Sequence, residues 1–126
     1  MVVMDTSALL YWTFAPEQLS ANAASVIAGA SQVIVSSISI WEIGLKVKRG
    51  KLDLPLTPET FVAKLKGTDR VHLEPVTEAT WLKNLALAWD HKDPADRTIV
   101  ATASLLGCPL VTSDLEIRSF YAAAVW

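Results

Sequence analysis

A disulfide framework is excluded at once, because Cys108 is the single cysteine in 126 residues. With no histidine beside it in sequence to activate the thiol, Cys108 reads as a small buried side chain ahead of a strand rather than a nucleophile. The chain also lacks any apolar run approaching the roughly 18 residues that suggest a membrane span. Met1-Val2-Val3-Met4-Asp5 has no basic stretch of the kind that opens a secretory leader. A reducing cytoplasm is therefore the expected compartment, with no membrane association. Internal repeats and low-complexity linkers are missing too. Net charge is only −2 at pH 7, so bulk charge cannot recruit a polyanion. Local basic patches remain, around Lys46, Lys48, Arg49 and Lys51 and around Lys64, Lys66 and Arg70.

What is present is a 52% hydrophobic composition, enough for one compact domain over residues 1–126 with a full core. Short apolar runs alternate with helical patterns, which predicts an α/β fold with a mainly parallel sheet. The strand candidates are Val2 to Met4, Val33 to Val35, Val71 to Leu73, Leu110 to Thr112 and Ala124 to Trp126. Helices are expected over Leu19 to Ala30, from Ser36 or Ser37 to a stop at Gly50, and from Pro58 through Leu65. A further helix is expected over Thr77 to Trp89, with Trp81, Leu82, Leu85 and Leu87 as its packing residues. Asp93-Pro94 opens another, an N-cap followed by proline at the first helical position. The tryptophans could offer stacking platforms for bases, but Trp12, Trp41, Trp81 and Trp89 fit apolar helical faces and read as core. His72 reads as strand packing, and His91 as a solvated loop residue, with contact to a phosphate or acid–base work as the alternative.

Four carboxylates stand out against this pattern. Asp5 and Asp114 follow apolar runs and should emerge at the carboxyl ends of buried strands, where open α/β sheets bind ligands. At helical spacing Asp96 shares a face with Ile99, Val100 and Ala103, and Glu42 shares one with Ile38, Trp41 and Leu45, faces whose apolar content assigns them to the interior. Each has an ordinary reading alone: Asp5 and Asp114 as helix caps, Asp96 as the acidic partner of the Asp93 cap, and Glu42 as the i,i+4 partner of Lys46. Together they would repel one another unless cations held them, and hard divalent ions such as Mg²⁺ or Mn²⁺ suit an all-oxygen set.

In order along the chain, Met4-Asp5-Thr6-Ser7-Ala8, Val35-Ser36-Ser37-Ile38-Ser39-Ile40-Trp41-Glu42-Ile43, Gly50-Lys51-Leu52, His91-Lys92-Asp93-Pro94-Ala95-Asp96-Arg97 and Val111-Thr112-Ser113-Asp114 resemble the PIN-domain ribonucleases. The resemblance is strongest to the toxins of VapBC-type toxin–antitoxin pairs. It implies a three-layer α/β/α sandwich, a homodimer, a cognate antitoxin partner and an RNA substrate. It also implies an Mg²⁺- or Mn²⁺-dependent endoribonuclease that attacks the phosphodiester with Mg-bound water and leaves a 3′-hydroxyl and a 5′-phosphate. The family's acidic positions fall on Asp5, Glu42, Asp96 and Asp114 as metal ligands and catalytic residues. Thr6 and Thr112 are expected as supporting contacts, Arg97 as a carboxylate's partner, and Lys46 and Lys92 opposite phosphates. Ser7 and Ala95 depart from the histidine and the bulky aromatic that relatives often carry there, which bears on substrate preference. The alternative is a non-catalytic PIN-like module that binds RNA or protein. A phosphatase built on an aspartyl nucleophile is disfavoured, because it needs a second Asp where Ser7 stands.

Overall fold

The computed structural model describes residues 1–126. Five strands form one sheet: β1 (Val2–Met4), β2 (Val33–Ser36), β3 (Val71–Glu74), β4 (Leu110–Val111) and β5 (Ala124–Val125). Their order is β3-β2-β1-β4-β5, and every pairing is parallel. Alternation along β1 explains the layers. Val2 and Met4 pack into one core with Val33, Val35 and Val111, while Val3 turns to the other with Ile34 and Leu110. The helices cover both faces. On the first lie α1 (Thr6–Phe14), α2 (Ala21–Gly29), α3 (Ser37–Lys48) and α4 (Pro58–Lys66), through Leu9, Ile27, Ile43 and Phe61. On the second lie α6 (Pro94–Leu106) and α7 (Leu115–Phe120), through Ile99, Val100 and Ile117, with α5 (Glu78–Ala86) packed against α6.

The topology decides where ligands go. From β1 the chain runs outward through β2 to β3, then crosses back to place β4 on the other side of β1. The strand order therefore reverses between β1 and β4, and the crevice at their carboxyl ends is the natural binding position in such a sheet.

Several sequence expectations fail for identifiable reasons. Trp81, Leu82 and Leu85 do not pack: they are 46%, 67% and 78% exposed, while Thr80 and Asn84 form the buried face of α5. That helix docks through polar contacts, Asn84 Nδ2 donating to Thr98 Oγ1 at 3.1 Å, so an apolar stripe was the wrong guide to its orientation. The helix also stops at Ala86, leaving Trp89 in the following loop. Trp41 faces solvent, because Ser39 and Ile43 are the inward residues of α3. His72 is exposed and bonds Glu74 at 2.9 Å instead of packing. Arg70 adds little to a basic surface, since its guanidinium donates to the carbonyls of Ile27 and Ala30.

Candidate active site

Three helix N-termini meet at the crevice, each capped by an aspartate. Asp5 Oδ1 accepts from Ala8 N at 2.8 Å and caps α1. Asp93 Oδ1 accepts from Asp96 N at 3.0 Å and caps α6. Asp114 Oδ1 accepts from Glu116 N at 2.8 Å and Ile117 N at 3.1 Å and caps α7. The ordinary capping reading is therefore correct for all three, and it does not compete with a role at the site. The partial positive charge at each helix start offsets part of the repulsion among carboxylates brought this close.

A cavity of about 240 Å³ opens over these caps. Asp5, Glu42, Asp93, Asp96 and Asp114 line it with Thr6, Ser7, Ser113 and Lys46, and no hydrophobic side chain contributes. Five carboxylates thus face a single ammonium. Glu42 reaches the cavity from the border of α3, not from its buried face, and Lys46 stands 4.0 Å from it. Thr6 donates to Ser39 Oγ at 2.9 Å, tying the start of α1 to the helix that carries Glu42.

Burial acts on these acids unequally. Asp5 is 5% exposed, and desolvation lifts its pKa from 3.8 to about 6, against the lowering effect of bonds from Thr112 and Ala8 and with added repulsion from Asp96 and Asp114. Burial also raises Asp96, while a bond from His91 pulls it back down. Loss of the proton is thus resisted mainly by burial, with repulsion from the neighbouring acids adding to it.

His91 is the residue that sequence reasoning missed. Instead of lying solvated in a loop, its Nε2 is 2.8 Å from Asp96 Oδ2 and its Nδ1 is 2.5 Å from Glu116 Oε2. The ring stacks on Trp89 at 4.5 Å, and Trp89 stacks on Phe120 at 4.7 Å. The bond to Asp96 raises the imidazole pKa, favouring the charged form that both carboxylates want.

Three further candidates lie outside the cavity lining. Arg97 meets no carboxylate: it donates to Asn84 Oδ1 and to the carbonyls of Asn84, Trp89 and His91, clamping the loop that presents His91. Thr112 is fully buried, donating to Asp5 Oδ2 while accepting from Asp114 N at 3.0 Å, so its hydroxyl supports two of the acids as expected. Lys92 is exposed and lies outside the cavity lining. Asn84 gave no signal in the sequence, since nothing local marks a residue whose role is to hold an arginine from the next helix.

No three acidic or histidine side chains already stand as a closed metal cage. The carboxylates and hydroxyls lining the cavity offer oxygen donors, the type that hard divalent cations such as Mg²⁺ prefer. The donors are all oxygen, since both His91 nitrogens are engaged and Cys108 is remote in a buried position.

The PIN-domain family model matches residues 2–123. The chain belongs to the PIN-domain family. As a PIN domain it is 29% identical over 119 residues to Ribonuclease VapC22 of Mycobacterium tuberculosis, covering 94% of this chain and 90% of that protein. Its fold is similar to that of a toxin–antitoxin complex from Klebsiella pneumoniae, with a TM-score of 0.70 and 18% identity over 100% of this chain and 97% of that one. It is also similar to VapC20 of Mycobacterium tuberculosis, a sarcin–ricin loop cleaving toxin, with a TM-score of 0.64 and 18% identity over 94% of each chain. The three-layer PIN architecture expected from the sequence is thus the one observed, with the sheet parallel throughout. No helix is long and apolar enough to cross a membrane.

Proposed function

We propose that this PIN domain is a divalent-metal-dependent endoribonuclease and the toxin half of a toxin–antitoxin pair. The observation that carries the reading is the wholly polar cavity in which five carboxylates face one lysine. Asp5 and Asp96 would hold Mg²⁺ or Mn²⁺ most directly, with Glu42 and Asp114 completing the set directly or through water. When bound, the ions supply positive charge to the scissile phosphate and lower the pKa of the attacking water. The protein's own share is positioning. Thr112 and Ala8 N fix the two oxygens of Asp5, His91 fixes Asp96, and Lys46 offers its ammonium to a phosphate oxygen at the cavity mouth. Because the attacking oxygen comes from water rather than the ribose 2′-hydroxyl, the products should carry 3′-hydroxyl and 5′-phosphate ends.

The partner reading rests on a second cavity. Trp12 and Phe14 of α1 and Leu56, Phe61 and Leu65 around α4 line an apolar groove of about 380 Å³. Leu45 and Leu54 lie outside it. An antitoxin's amphipathic helix would fill the groove, and a basic tail would reach the acidic cavity and compete with the metal. A second copy of the chain would cover the exposed Trp81, Leu82 and Leu85 of α5, giving a homodimer. Co-expression with the protein encoded beside it, followed by mapping the ends of any RNA fragments, tests both parts. Copurification, lost cleavage in the complex and 5′-phosphate ends are expected. A lone protein whose cleavage is untouched by its neighbour contradicts the toxin reading. A protein that binds RNA or its neighbour and cuts nothing is the non-catalytic alternative.

A further inference from the structure

The acidic cavity does not end at Glu42. A third cavity, of about 220 Å³, adjoins it and shares Glu42, Lys46 and Asp93 with it. Its other walls are Trp41, Leu45 and Arg49 from α3 and its end, Lys51 just beyond, and Pro94 and Ala95 at the start of α6. Trp41 is 53% exposed, belongs to neither core, and pairs with no other aromatic ring. Arg49 and Lys51 form no ion pair.

The rim is held in shape. Gly50 takes the left-handed conformation at φ 68°, which lets Gly50 N donate to Val47 O at 3.1 Å and Lys51 N to Lys46 O at 2.8 Å. That turn folds Lys51 back beside the last turn of α3, so three cations border the indole instead of dispersing along a loop.

We propose that this cleft is a subsite for single-stranded RNA: one unpaired base flanking the scissile phosphate stacks on Trp41, and its neighbouring phosphates meet Arg49 and Lys51. The assignment rests on the nuclease reading and adds to it the side from which the strand enters. Charge favours this occupant. The carboxylates at one end suit cations and the reacting phosphate, while the basic rim suits the phosphates that follow. The indole between them offers a face that any unpaired base can use and a paired base cannot.

The test is steady-state cleavage, with Mg²⁺, of a fluorescein-labelled single-stranded RNA spanning a cut site mapped on total cellular RNA. Trp41→Ala should raise KM about tenfold with kcat nearly unchanged, as expected for a lost base stack remote from the reacting atoms. Trp41→Phe should recover most of the loss. Leu105→Ala, a similarly exposed apolar residue at the far end of α6, should match wild type. Arg49→Gln with Lys51→Gln should flatten the salt dependence of binding, by roughly 0.7 in logarithmic slope per lost phosphate contact. A Trp41→Ala protein with wild-type KM overturns the subsite while leaving the nuclease reading intact, also if that variant instead loses a protein partner. A wild-type protein that cuts no RNA with Mg²⁺ or Mn²⁺ overturns both.

Discussion

His91 Nε2 lies 2.8 Å from Asp96 Oδ2, and the imidazole is held in that position by Glu116 on its other nitrogen and Trp89 beneath its face. The carboxylate of Asp96, proposed as a metal ligand, is thereby denied free rotation. His91→Ala should lower the cleavage rate by about tenfold to a hundredfold and raise the Mg²⁺ concentration at half-activity, the usual scale for losing a partner that orients a ligand. Rates across a Mg²⁺ titration check it. The raised His91 pKa adds a sign: its contribution to stability is full below pH 6.5 and is lost as pH climbs through the higher folded value. The melting difference between wild type and His91→Ala should therefore shrink at high pH.

Asp5 behaves in the opposite sense to a paired acid. Its folded pKa, about 6, lies above the ordinary 3.8, so protonation favours the folded state. That stabilisation is complete below pH 3.8 and disappears as pH rises through 6, a swing of about 3 kcal/mol at most. In EDTA, Asp5→Asn should therefore melt at or above the wild-type temperature at pH 7 and lose that advantage near pH 4. Adding Mg²⁺ should stabilise wild type and not the variant.

Asp93 and Asp96 separate by chemistry. Asp93→Ser keeps a side chain that caps α6 and should retain substantial activity and nearly the wild-type melting temperature. Asp96→Ser should be inactive. Because Asp93 also lines the cavity, equal loss in both would make it a ligand as well.

Arg97→Ala should unfold at lower urea, by a few kcal/mol, since it strands Asn84 and two loop carbonyls that the guanidinium now satisfies. If Arg97 instead met RNA, stability would hold and KM would rise.

The parallel α/β order was legible because Val2-Val3-Met4, Val33-Ile34-Val35 and Leu110-Val111 are short apolar runs separated by capped helices, and period alone carries that information. The meeting of Asp5 and Asp114 at one crevice followed from their position after strands. Orientation of individual helices was not legible. On α5 both Thr80–Asn84 and Trp81–Leu85 have helical spacing, and only the partner surface decides that the polar pair turns inward. On α3 the same ambiguity hid the exposure of Trp41. Arg97 and His91 were misjudged because their partners, Asn84 and Glu116, come from other helices, and a contact across elements leaves no trace in local spacing.

The central claim is that the carboxylate cavity cuts RNA with a bound divalent ion. The most direct measurement incubates total cellular RNA with wild type, Asp5→Asn and Asp96→Asn, each in Mg²⁺ and in EDTA, after confirming by thermal melt that all three are folded. Discrete fragments from wild type in Mg²⁺ alone, with none from either variant, are the predicted result. Folded variants that cut at the wild-type rate, or wild-type cleavage that persists in EDTA, would contradict it.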